Sequence, residues 1–82
     1  MIAATLVSAG DCHLCARAKE LLTKLGGGSL ELTELEWDSP AGQALISAEG
    51  IPFAPAVFLN GEFLAYGRIS EGALRRRLES LG

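Results

Sequence analysis

Gly50-Ile51-Pro52-Phe53-Ala54-Pro55-Ala56-Val57-Phe58-Leu59-Asn60-Gly61-Glu62 reads as a loop, a short buried strand and a tight turn. Pro55 to Asn60 forms the strand. A proline at its first position removes no ladder hydrogen bond, and the four apolar residues after it suit a buried strand. Asn60-Gly61 is the strongest two-residue hairpin signal, because both residues accept the positive φ of a type I′ turn. Glu62 to Tyr66 therefore returns as an antiparallel partner. Beyond it, Ser70 caps a last helix with Leu74, Leu78 and Leu81 on one face, and Ile69 and Leu74 are spaced as a hydrophobic staple. Arg75-Arg76-Arg77 reads as a solvated run near that helix's C-terminus, where cations are favourable.

Upstream, Ile2 to Ser8 is a short apolar run that reads as a buried strand. Gly10 and Asp11 break it, with Asp11 placed as an N-cap. From Cys12 onward Leu14, Ala18, Leu21, Leu22 and Leu25 follow a helical period, and Gly26-Gly27-Gly28 stops the helix. Leu30 to Trp37 is a second strand whose parity slips. Leu30 and Leu32 share one face, Leu35 and Trp37 the other, as a bulge or an early end would produce. Trp37 is expected to pack at the core or its rim. Ser39 caps a helix with Pro40 at its first position, running to Ala48 or Glu49 and closing at Gly50. The order is β-α-β-α-β-β-α over a single domain, residues 1–82. The first βαβ unit is right-handed and parallel, and the closing hairpin makes the four-stranded sheet mixed, with helices flanking it.

Cys12-His13-Leu14-Cys15 lies where the first strand gives way to the first helix, and the chain has no other cysteine. The thiolate is the nucleophile in disulfide exchange, and a helix N-terminus lowers a thiol's pKa. Cys12 is thus the expected nucleophile. Cys15, one turn deeper, is placed to attack the mixed disulfide and release product. A protonated His13 would favour the Cys12 thiolate, whereas the Asp11 carboxylate opposes it. A zinc site normally takes four Cys/His ligands, and two cysteines with one histidine fall short, as they do for an iron–sulfur cluster. The residues alone leave three readings: a redox couple, a metal shared between chains, or two ordinary reduced cysteines. Placement after a strand favours the first.

Composition narrows the setting. Eighty-two residues with a net charge of −3 give no footprint for nucleic acid, and no run approaches a membrane span. Met1 to Ala9 lacks a basic n-region and is too short for an h-region with a cleavage site, so a reducing cytoplasm is expected. There CxxC reads as redox or metal chemistry rather than as a structural staple.

The Gly50–Glu62 run, taken together with the CxxC, resembles the thioredoxin superfamily, in which a Gly-Ile-x-x-x-Pro run leads into a strand ending in Phe-x-Asn-Gly-Glu or a close variant. The short chain, Asp11-Cys12-His13-Leu14-Cys15 and the Gly61–Gly67 hairpin are similar to small glutaredoxin-like bacterial proteins. The resemblance covers nearly the whole chain. It implies a minimal thioredoxin-like fold and a thiol–disulfide oxidoreductase in which Cys12 and Cys15 are catalytic and His13 supports them. It also implies that Pro55 is the family's cis-proline, turning the Ala54 backbone toward an extended substrate. Asp11, Phe53 and Gly67 fall at the substrate groove.

No resident cofactor or metal is implied, and a monomer is expected. Partners are a disulfide-bearing protein or small molecule, and a reductase or glutathione as donor. Four departures bear on glutathione: His13-Leu14 replaces Pro-Tyr, Gly10-Asp11 replaces a basic residue, Phe53-Ala54-Pro55 replaces Thr-Val-Pro, and Tyr66-Gly67-Arg68 replaces Gly-Gly with acids. Most charged contacts for glutathione are therefore missing. The alternative is a binding or adaptor module of the same fold with weak redox activity, or one holding a metal or cluster between two chains.

Overall fold

β1 (Ile2–Ser8) and β2 (Leu30–Glu36) pair in parallel, with unbroken register from Ile2 opposite Leu30 to Ser8 opposite Glu36. The computed structural model describes residues 1–81. β3 (Ala56–Leu59) runs antiparallel to β1, and β4 (Glu62–Tyr66) antiparallel to β3, giving a mixed four-stranded sheet in the order β2-β1-β3-β4. Asn60 and Gly61 both have positive φ, 50° and 81°, as the turn between β3 and β4 requires. The helices are α1 (His13–Gly26), α2 (Pro40–Glu49) and α3 (Glu71–Leu81).

Two clusters of buried residues account for the strand patterns. Ile2, Ala4, Leu6, Val57 and Leu59 pack with Ala18, Leu21 and Leu22 of α1 and with Ile69, Leu74 and Leu78. On the opposite face Val7, Ala56 and Phe58 pack with Ile46 of α2 and with Ile51. The parity slip in β2 is neither a bulge nor an early end. Leu30 and Leu32 pack against the α1–α3 cluster, Leu35 and Trp37 against the α2 cluster, because helices cover both faces of the sheet. Among the described residues, the one register irregularity falls at Val57/Phe58, between β3 and β4.

Local stop and start signals follow the chain chemistry. Ser39 Oγ accepts from Gly42 N at 3.0 Å, with Pro40 in the first turn, and α2 ends on a left-handed Gly50. Gly27, with φ 52°, ends α1 and opens a short 3₁₀ turn, Gly27–Ser29. Ser70 Oγ accepts from Ala73 N at 3.2 Å, and Ile69 and Leu74 share one cluster. Two expectations for α3 are corrected. Leu81, in the last turn of α3, is exposed, and of the expected face only Leu74 and Leu78 join the core cluster. The arginine run sits in mid-helix rather than in its last turn, and ion pairs hold it: Arg75 to Glu71 at 2.9 Å and Arg77 to Glu62 at 2.8 Å.

Candidate active site

Cys12, not Asp11, caps α1. Asp11 takes a left-handed φ of 51°, a conformation that Asp tolerates better than most residues. That turn carries the chain out of β1 and leaves Cys12 extended (φ −119°, ψ 108°) at the N-cap. The Cys12 sulfur accepts the Cys15 N–H at 3.1 Å, and the Cys12 carbonyl accepts from Ala16 N at 3.1 Å. A sulfur in this position meets unpaired backbone donors and the positive end of the helix dipole, both of which favour a thiolate. The first turn of α1 carries no acidic side chain, and the opposing carboxylate is that of Asp11, immediately before Cys12 and in the same hollow.

Cys12 and Cys15 are joined as a disulfide, with their Cα atoms 5.2 Å apart, inside the usual range for such a bond. Their surroundings differ. Cys15 is 5 % exposed and Cys12 is half-buried, so an incoming sulfur has its access at Cys12. His13, the first residue of α1, is exposed.

The second wall is the segment before β3. Ala56 lies opposite Val7, so the Ala54–Pro55 peptide sits at the end of the sheet where β1 runs out into Ala9–Asp11. That peptide is cis, and Pro55 is fully buried. Gly67 N donates to the Pro55 carbonyl at 2.8 Å, tying the end of β4 to this turn. Gly67 has φ 71°, and a Cβ there would stand 3.0 Å from Phe53 Cε1. Phe53 and Tyr66, both exposed, make an edge-to-face pair with ring centroids 5.2 Å apart. The structure thus gathers two sets of the expected residues at one end of the sheet. Asp11, Cys12 and Cys15 line a common hollow, and Phe53, Ala54, Pro55 and Gly67 form the turn beside β1.

That hollow, about 370 Å³, is also lined by a group that sequence reasoning missed: Ser8, Lys19 and Glu34. Ser8 Oγ donates to Glu34 Oε2 at 2.9 Å, and Lys19 Nζ lies 3.1 Å from Glu34 Oε1. The Ser8 hydroxyl first, and then Lys19, hold the Glu34 carboxyl below the ordinary carboxylate value. Lys19 is four residues after Cys15, hence on the same helix face, and that spacing was a usable signal. Glu34 is placed only by the β1–β2 register, which no local pattern encodes. Among the described residues, no three His, Cys, Asp or Glu side chains converge as a metal site, and no helix is long and apolar enough to cross a membrane.

Comparisons with known proteins agree with this geometry. The glutaredoxin family model matches residues 4–64, a span that includes both cysteines, Pro55 and the Asn60-Gly61 turn. No curated protein sequence matches significantly. An uncharacterised thioredoxin-like protein from Clostridium perfringens superposes with a TM-score of 0.75 at 13 % identity, over 100 % of this chain and 71 % of that one. A thioredoxin variant from Halobacterium salinarum NRC-1 gives 0.67 at 24 % identity, over 96 % and 73 %. Glutaredoxin 1 from Francisella tularensis, complexed with cacodylate, gives 0.64 at 14 % identity, over 99 % and 96 %. At these identities the structural likeness concerns the fold, whereas the family match rests on the sequence over most of the chain. With its mixed four-stranded sheet and its Cys12–Cys15 pair at the start of α1, the chain belongs to the glutaredoxin family.

Proposed function

We propose that this protein is a dithiol thiol–disulfide oxidoreductase in which Cys12 attacks and Cys15 resolves. The observation that carries the reading is the asymmetry of the pair. Cys12 is accessible, at the N-cap, and accepts the Cys15 N–H, while Cys15 is buried behind it. In the reduced protein the Cys12 thiolate attacks one sulfur of a substrate disulfide. A mixed disulfide forms and the other substrate sulfur leaves as a thiolate that takes up a proton. Cys15 then loses its proton, attacks Cys12 Sγ and expels the second substrate thiol. The substrate gains two electrons and two protons, and the Cys12–Cys15 bond stores the oxidised equivalent.

Exchange requires no resident cofactor. An external thiol donor, glutathione or a reductase, returns the pair to the dithiol. Pro55 and the Ala54 backbone shape the groove in which an extended substrate pairs as an added strand, with Phe53, Gly67 and Asp11 at its margins and His13 beside the nucleophile.

The test combines thiolate titration of Cys12 by ultraviolet absorbance with a Cys15→Ser variant. Cys12 should titrate below the ordinary thiol value of about 8.5, and the variant should accumulate a mixed disulfide with a model peptide disulfide. A Cys12 that titrates as an ordinary thiol, with no trapped adduct, overturns the reading.

A further inference from the structure

The charge of the molecule is concentrated beside its reactive sulfurs. The hollow holding Cys12 and Cys15 shares Ser8, Ala9 and Glu34 with a second hollow of about 610 Å³, which Glu36, Trp37 and Asp38 also line. The two form one surface running from the disulfide to the end of β2. Four carboxylates (Asp11, Glu34, Glu36, Asp38) and one ammonium (Lys19) line it. The excess of three negative charges equals the formal charge of the whole chain, −3, so the remainder of the molecule is balanced. Lys19 is held on Glu34. Among the described residues, Asp11, Glu36 and Asp38 have no ion-pair partner.

We infer that the substrate of this site is a disulfide-bearing polypeptide segment with Lys or Arg beside its cysteine. This rests on the exchange activity proposed above and adds its substrate class. Two features favour a polypeptide over a small disulfide. Glu34 and Glu36 stand two residues apart on β2, about 7 Å along the strand, which is the spacing of alternate side chains on an extended peptide. The acidic row then continues into Asp38, in the adjoining hollow that neither sulfur lines. An anionic substrate such as glutathione disulfide would bring its carboxylates against these acids, an unfavourable juxtaposition.

The test is single-turnover reduction, by the pre-reduced protein, of three matched peptide disulfides flanked by Lys, by uncharged residues or by Glu, with cystamine as a small cationic disulfide. At about 0.01 M ionic strength, where screening extends over ~30 Å, the Lys peptide should react about tenfold faster than the Glu peptide, a modest case of electrostatic steering. The ratio should collapse at about 1 M salt, where the screening length is ~3 Å. It should also fall in a Glu36→Gln/Asp38→Asn double variant. Equal, salt-independent rates for all peptides overturn the inference and leave the exchange activity standing. Failure to reduce any disulfide overturns the exchange activity instead. Cystamine gaining as much as the Lys peptide overturns the polypeptide assignment in favour of a small cationic disulfide.

Discussion

Gly67→Ala probes how tightly the turn beside the cysteines is built. Gly67 is buried, has φ 71° and donates its N–H to the Pro55 carbonyl at 2.8 Å. Left-handed backbone costs a residue with a Cβ about 1–2 kcal/mol, of which ~0.4–1 kcal/mol is returned by the lower entropy of the unfolded chain. The new Cβ also lands 3.0 Å from Phe53 Cε1, tighter than an ordinary contact. Phe53 is 53 % exposed, so its ring can swing outward rather than forcing the backbone to move. Doing so weakens its edge-to-face contact with Tyr66, an arrangement worth about 0.5–1.5 kcal/mol. The total is a destabilisation of about 1–2 kcal/mol, and each kcal/mol shifts Tm by ~4–8 °C in a domain of this size. Urea denaturation of Gly67→Ala, Phe53→Ala and the double variant, all oxidised, separates the two contributions. With Phe53 truncated, alanine at 67 should cost only its backbone share, giving a coupling of about 0.5–1 kcal/mol between the sites. A neutral Gly67→Ala, or an equal cost in both backgrounds, refutes the packing argument.

Two further outcomes follow from other parts of the fold. A Cβ at Gly42 would collide with the Glu36 carbonyl and stand 3.0 Å from Ser39 Oγ. Gly42→Ala should therefore cost about 2–4 kcal/mol, from overpacking plus a lost cap, against ~1 kcal/mol for Ser39→Ala; a smaller loss for Gly42→Ala in chemical denaturation would contradict the geometry. Glu34 is held below its ordinary value of 4.5 by Ser8 and Lys19, so the folded protein binds fewer protons there than the unfolded chain. Its contribution is complete above that value and lost as pH falls through the folded pKa. Because both Lys19 and Glu34 are partly exposed, the contribution is below about 1 kcal/mol. The stability gap between wild type and Glu34→Gln should shrink on acidification, and a gap that widens refutes this sign.

Features set by neighbours a few residues apart were legible in the chain. Asn60-Gly61, Ser39-Pro40 and the spacing of Ala18, Leu21 and Leu22 named a turn, a helix start and a buried face, because turn chemistry and helical periodicity act over about four residues. The same locality placed Cys12 and Cys15 at the start of α1. It erred at Asp11, since the choice of cap depends on how the chain leaves β1, and at β2, since coverage of both faces is a property of α1, α2 and α3 together. The surroundings of the sulfurs depend on register instead. Glu34 meets Ser8 across 26 residues of sequence, and it is the same pairing of β1 with β2 that extends the acids of β2 from the reactive disulfide toward Asp38. Local chemistry therefore specified a redox-type dithiol at a helix start. Long-range strand pairing, which no short window of sequence encodes, supplied the charge that surrounds it.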